Sequence, residues 1–280
     1  MASIISFNFS VAGDKSWIKD YREPLQIMPQ TTKIPTNENI NSFPSCSSWS
    51  DSVIHTSYIT RPFNNIFNEQ GKINSCIYNI EQYIKLCKRI KYKCLLIHLP
   101  GTQKEINEIG NGFGLLKDIF NKEENKDIIL VLEIPAFKSG YKNDVYEYFR
   151  MIIKNYFKLF KYNNVELCFD TAHLYSNGLD GRDMIALFDS KISHKRLIDY
   201  CQIIHFNGNC KQKYTSDEHV QIFDKNNKIE YSAELTKYLQ NKNKILISEN
   251  TTKRSDYNKW LEFSKANKMN IVDEHKQISA

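Results

Sequence analysis

The feature that most limits what this chain can fold into is a regular alternation. Short, continuous apolar runs recur at residues 4–9, 25–28, 52–55, 94–99, 128–132, 165–169, 201–206 and 245–247, each ending in or beside a polar or ionisable residue. Apolar runs of this length fit strands covered on both faces, as in a parallel sheet. Between most of them lie stretches with helical spacing, at 77–90, 106–120, 145–160, 184–188 with Leu197, and 233–239, and a last one at 257–266. Strand and helix alternating along one chain predict an α/β fold, and eight runs predict a (β/α)8 TIM barrel. The first two units are short: residues 12–23 hold two or three helical turns at most, and 30–49 are polar enough to form loop or irregular helix. No linker, repeat or low-complexity tract divides the chain. The expectation is one domain, 1–280, with an atypically short N-terminal part.

The ionisable residues keep step with that alternation. His55 ends the third run, His98 lies in the fourth, Glu133 closes the fifth, Asp170 ends the sixth, His205 lies in the seventh and Glu249 follows the eighth. The steps from 55 to 98, 133, 170, 205 and 249 are 43, 35, 37, 35 and 44 residues, each close to one strand–helix unit. Barrel strands are parallel, so residues at their C-terminal ends share the face on which barrel active sites lie. His173 follows Asp170 by three residues, and Asp217 with His219 forms a D-x-H pair after the seventh run. One histidine at a strand end is usually a satisfied core or loop residue. Six ionisable positions in phase are more than coincidence supplies. Neutral imidazoles and carboxylates suit Zn²⁺, with Mn²⁺ or Fe²⁺ as competitors. Nine ligands exceed the needs of one ion and suffice for three if a carboxylate bridges.

Composition adds limits. A hydrophobic fraction of 41% and a charged fraction of 25% are those of a globular enzyme. A net charge of +6 is compatible with a polyanionic partner. Seven cysteines without a C-x-x-C pair, three of them (Cys94, Cys168, Cys201) inside apolar runs, read as buried thiols in a reducing, intracellular compartment. No signal-peptide pattern and no apolar stretch near 18 residues are present, so secretion and membrane spanning are not expected. The abundance of Lys, Asn, Ile and Tyr matches AT-rich coding, compatible with a large DNA virus.

These residues carry a resemblance. Leu167-Cys168-Phe169-Asp170-Thr171-Ala172-His173, continued by Gly178-Leu179-Asp180, resembles the signature of the endonuclease IV family, the family 2 abasic endonucleases. His55-Thr56-Ser57-Tyr58, Ile97-His98-Leu99-Pro100-Gly101, Leu132-Glu133, Ile204-His205-Phe206-Asn207, Asp217-Glu218-His219 and Ile247-Ser248-Glu249 match further blocks in order, over residues 50 to 250. The chain departs from the pattern at Gly208, where the family usually has an acidic residue, and at Glu218, where it usually has Arg or Lys. It also lacks the common glycine near Phe223, and Asn8 stands where His is frequent.

The resemblance implies three zinc ions, held by His55, His98 and Glu133, by Glu133, Asp170, His205 and Glu249, and by His173, Asp217 and His219. It implies catalytic roles for Glu133 and Glu249. The implied reaction is hydrolysis 5′ to an abasic site in double-stranded DNA, leaving a 3′-hydroxyl, with removal of 3′ blocking groups by the same centre. Tyr58 and Ile59 match the position of the family's DNA wedges, and Lys211 and Lys213 could meet phosphates; ordinary loop packing is the alternative for Tyr58, and solvated loop charge for each lysine. A monomer working in a nucleus, nucleoid or viral factory is expected. Two rivals stay open: a sugar isomerase or epimerase of the xylose-isomerase-like barrels, using one or two metals, and a non-catalytic DNA-damage binder.

Overall fold

The apolar runs form strands, and their side chains are almost all removed from water, as sheet strands covered on both faces require. The computed structural model describes residues 2–10, 15–19, 23–29, 34–57, 60, 62–63, 70–137, 144–215, 217–249 and 254–271. In chain order the elements are β1 (Ile4–Ser10), β2 (Gln26–Met28), α1 (Asn37–Asn41), β3 (Ser50–His55), α2 (Gln70–Ile90), β4 (Tyr92–His98), α3 (Gln103–Asn107), α4 (Ile109–Phe120) and β5 (Ile129–Glu133). Then come α5 (Val145–Tyr156), β6 (Val165–Asp170), α6 (Thr171–Ser176), α7 (Gly181–Asp189), β7 (Lys191–Ile192), β8 (Lys195–Arg196), β9 (Cys201–His205) and β10 (Asn207–Asn209). The last are β11 (His219–Gln221), α8 (Ser232–Leu239), β12 (Ile245–Ser248), α9 (Arg254–Ala266) and β13 (Asn270–Ile271).

Eight strands follow one another as β1-β2-β3-β4-β5-β6-β9-β12, and β12 pairs in parallel with β1 through Ile4 opposite Ile245, so the sheet closes into the expected (β/α)8 barrel. The ionisable residues of the sequence stand where the alternation puts them: His55, His98, Glu133, Asp170 and His205 are each the last residue of a barrel strand, and Glu249 follows one.

By compactness the chain divides into two units. One comprises Met1–Asn8, Glu133–Asn155 and Leu167–Glu274. Its core includes a run of rings, Phe149 to Phe169 at 5.0 Å and Phe169 to Phe188 at 4.9 Å, and a second group in which Trp260 sits 6.0 Å from Phe7 and 4.8 Å from Phe223. The other comprises Phe9–Leu132, Tyr156–Glu166 and His275–Ala280. There Phe113 stacks on Tyr156 at 4.2 Å and meets Phe63 at 5.2 Å.

Differences from the sequence expectations have local causes. The helical stretch expected over 106–120 is two helices, with Thr102 and Glu105 forming a capping box at the first and a break at Glu108. The polar 30–49 stretch contains the short helix α1, started by a second capping box at Thr36 and Asn39. The Gly178-Leu179-Asp180 motif is a turn and a cap. Gly178 takes φ +103°, a conformation that glycine tolerates, and Asp180 accepts the N–H groups of Arg182 and Asp183 at the start of α7. Among the described residues no helix is long and apolar enough to cross a membrane.

Candidate metal centre

Seven of the nine expected ligands lie in the first unit; six of them cluster, and Asp217 joins through His173 and His219. The middle of the group is His205 Nδ1, which lies 3.0 Å from Glu133 Oε1, 3.3 Å from Glu249 Oε2 and 3.6 Å from Asp170 Oδ2. Glu133, Asp170 and His205 are fully buried. Beside them, His173 Nε2 is 3.3 Å and His219 Nε2 2.7 Å from Asp217 Oδ2, and His219 Nε2 is 3.7 Å from Asp170 Oδ2. Asp170 thus belongs to both halves of the group, because the donor atoms of Asp170, His173 and His219 also fall within 4.8 Å of one another.

Local structure aims these side chains. Asp170 caps α6: its Oδ1 accepts the N–H groups of Ala172 at 2.7 Å and His173 at 3.0 Å, which leaves Oδ2 facing the cluster. Seating the helix in this way brings His173 back to the strand end. The ring of His173 is set by Nδ1, 2.7 Å from the Ile134 carbonyl, so Nδ1–H donates there and Nε2 is left for Asp217 or an ion. Thr171 Oγ1 accepts the N–H of Asn207 at 3.0 Å and ties α6 to β10. His219 begins β11, which pairs antiparallel with β10.

The charges explain the titration. Burial opposes a proton on His173, but Asp170, Asp217 and Glu133 outweigh it and raise the imidazole well above its usual value. Burial likewise opposes charge on His205, and Cys168, Glu249 and Glu133 outweigh it. For His219 the same contest, with Asp170 and Asp217 on the winning side, ends at about 9. Burial pushes Asp170 upward, yet His173 and His219 hold it well below the usual carboxylate range. Without metal, then, the raised imidazoles of His173 and His219 and the lowered carboxyls of Asp170 and Asp217 hold one another in their charged forms. Cys168 is buried, as its apolar run suggests, and burial pushes its thiol up to about 11 against the lowering influence of His205.

These residues fit divalent ions. His219 Nε2 lies 2.7 Å from Asp217 Oδ2 yet makes no aligned hydrogen bond. A nitrogen and an oxygen that approach without aiming at each other are oriented as two ligands of one ion are. Ligands of a single tetrahedral zinc stand about 3.3 Å apart, and the contacts of His205 Nδ1 run from 3.0 to 3.6 Å. The donor set is oxygen and imidazole nitrogen throughout, which suits zinc and its neighbours in the first row.

The remaining two expected ligands lie in the second unit. The rings of His55 and His98 meet edge to face, with centroids 4.9 Å apart. His55 Nδ1 is 2.8 Å from the Thr56 carbonyl, a contact that fixes the orientation of the ring.

The β10–β11 hairpin carries two of the departures from the family pattern, Gly208 in β10 and Glu218 just before β11. A Cβ on Gly208 would come within 2.8 Å of Asn227 Cγ and of the Gln221 carbonyl, which leaves no room for an acidic side chain. Glu218 pairs with Lys211 at 2.8 Å, on the surface. Lys211 is therefore engaged within its own loop, and Lys213 lies over the Tyr175 ring at 5.7 Å. Tyr58 and Ile59 lie outside the described residues. Motif reading passed over Asn209 and gave Asn207 no role beyond its place in a block. The signal was the Asn-Gly-Asn that follows His205 and Phe206.

No family model matches the chain. The protein named probable endonuclease 4 from Persephonella marina is 26% identical to it over 176 residues, 61% of this chain. The aligned part spans 59% of that relative's length. Endonuclease IV from Thermus thermophilus superposes with a TM-score of 0.67, covering 94% of this chain and 98% of that one at 15% identity. The chain resembles endonuclease IV in sequence and in fold. A D-tagatose 3-epimerase-like protein also shares the barrel, with a TM-score of 0.61 at 17% identity, covering 95% of this chain and 97% of that one. At these identities the two structures speak for the fold alone.

Proposed function

We propose that this chain is a zinc-dependent abasic-site endonuclease. It acts as one domain and as a monomer, hydrolysing the phosphodiester 5′ to an abasic sugar in double-stranded DNA and leaving a 3′-hydroxyl. Removal of 3′ blocking groups belongs to the same centre. The observation that carries the reading is the clustering of Glu133, Asp170, His205 and Glu249 at successive strand ends, with His173, Asp217 and His219 beside them, in the order of the endonuclease IV blocks.

In this reading His55, His98 and Glu133 hold one ion, Glu133, Asp170, His205 and Glu249 a second, and His173, Asp217 and His219 a third. Divalent ions there supply charge neutralisation for the phosphate oxygens and make water acidic enough to attack near neutral pH. Glu133 and Glu249 are the carboxylates that would serve as proton acceptors in this reading. Asp170 contributes a single oxygen, since α6 occupies the other. An abasic nucleotide leaves the duplex at lower cost than a stacked, paired one, which favours the damaged site. Tyr58 and Ile59 are proposed to fill the gap it leaves, and Lys211 and Lys213 to meet the backbone.

The test is incubation of a synthetic abasic duplex with purified protein, with and without chelator, and mapping of the product ends. Cleavage 5′ to the lesion that chelation abolishes is expected. A protein carrying three zinc ions that leaves the duplex whole, yet binds it, would instead be a damage-binding protein. The shared fold leaves one second reading, a sugar isomerase or epimerase. One Mn²⁺ or Mg²⁺ per chain with turnover of a ketose would establish that reading in place of the nuclease.

A further inference from the structure

Two asparagines outside the ligand set donate hydrogen bonds to its carboxylates. β10 is Asn207-Gly208-Asn209, and residues two apart on a strand face the same side. Both asparagines are fully buried. Asn207 Nδ2 donates to Asp170 Oδ2 at 2.9 Å and to Glu249 Oε2 at 3.3 Å, while its Oδ1 accepts the backbone N–H of Glu249 at 3.0 Å. Asn209 Nδ2 donates to Asp217 Oδ1 at 3.1 Å, to Ser176 Oγ at 2.9 Å and to the Ala172 carbonyl at 3.3 Å. Its Oδ1 accepts the N–H of Lys211 at 2.8 Å. With both ends of each amide engaged, neither can flip.

The strand that carries them is fixed in turn. Asn227 Oδ1 accepts the N–H groups of Asn209 at 3.1 Å and Ile229 at 3.0 Å, and the Asn227 side chain occupies the space that a Cβ on Gly208 would need. The hairpin therefore presents two amides in a set register. A neutral amide is well suited to this position. It gives a carboxylate a charge-assisted hydrogen bond without neutralising it, so the oxygen that faces the ion keeps its charge.

We propose that Asn207 and Asn209 are positioning residues assigned to different ions. Asn207 sets the Asp170–Glu249 pair of the ion shared with His205. Asn209 sets Asp217 for the ion shared with His173 and His219. The inference rests on the metal-centre reading above and adds that one three-residue strand supports the carboxylates of two ions.

The test measures zinc per chain by mass spectrometry after dialysis against graded free zinc, together with thermal unfolding of the chelated proteins. Asn207→Asp and Asn209→Asp keep side-chain size but turn the donor into a charged acceptor. Each is expected to weaken one ion about 10- to 100-fold, the usual range for partners behind the ligands. His219→Ala identifies the ion. That variant binds one zinc fewer, adding Asn209→Asp removes no further zinc, and adding Asn207→Asp does. If Asn209→Asp strips a further ion from His219→Ala, or if both single variants keep wild-type zinc affinity, the assignment is overturned. Where an aspartate variant does not fold, the serine variant is measured. Serine variants whose unfolding midpoint falls equally with and without zinc, at unchanged zinc affinity, would make the asparagines purely structural and overturn the proposal. A wild-type protein that binds no divalent ion would overturn the metal-centre reading instead.

Discussion

The metal-free protein should weaken as pH rises, and His219 is the residue through which to measure it. Its imidazole is lifted from the usual 6.5 to about 9 because Asp170 and Asp217 outweigh its burial. A folded-state value above the unfolded one means stabilisation that is complete below pH 6.5 and lost as pH climbs through 9. One pKa unit corresponds to about 1.36 kcal/mol, so the span amounts to about 3 kcal/mol, shared among His219 and the carboxylates that hold its proton. The perturbation is His219→Gln, which has no proton to lose in this range. Urea unfolding of the chelated proteins in steps from pH 6 to 10 should show the wild-type advantage shrinking by about 3 kcal/mol. Zinc should reverse the trend, since ions bind neutral imidazole and protons compete with them, so zinc affinity rises with pH. A wild-type minus variant difference that stays flat or grows with pH in the chelated protein would refute the reasoning. So would zinc affinity that falls as pH rises.

Other outcomes follow from the same geometry. Glu249→Gln and His98→Ala should abolish chelator-sensitive cleavage of an abasic duplex while circular dichroism stays that of the parent; wild-type cleavage by either variant removes that residue from the centre. Gly208→Ala sets a methyl group against Asn227 and the Gln221 carbonyl, and overpacking of this kind costs about 1–3 kcal/mol, readable in the denaturant midpoint. Glu218→Gln frees Lys211 from its ion pair. DNA binding should tighten, and the slope of log affinity against log salt should steepen by about one phosphate contact; an unchanged slope means Lys211 does not reach DNA.

Where the sequence was legible, the reason is burial. A strand covered on both faces must be apolar throughout, so each barrel strand appears as a run, and a charged residue at its end stands out. His55, Glu133, Asp170 and His205 were visible for that reason. The short hairpins had no such mark. β7 and β8 are two residues each, joined by Ser193 and His194 at φ +50° and +76°, a turn usually announced by Asn-Gly and here by nothing. β10 and β11 are three residues each and mostly polar, so periodicity passes over them. The supporting asparagines were hidden for a related reason: an amide matters through partners distant in sequence, as Asn207 does with Asp170 and Glu249. Gly208 and Glu218 looked like losses against the family pattern. With Asn227 and Lys211 beside them they are local packing and pairing.

Asp170 has a consequence for redesign. One of its oxygens holds the first turn of α6, the helix that delivers His173, and the other faces the cluster. An engineer retuning the centre toward a softer or larger ion could exchange ligands at several strand ends one at a time. At position 170 that freedom is missing. Histidine or cysteine there would uncap α6 and release His173 with it, and glutamate would trade the cap for reach. Any re-engineered centre on this scaffold has to be built around that aspartate.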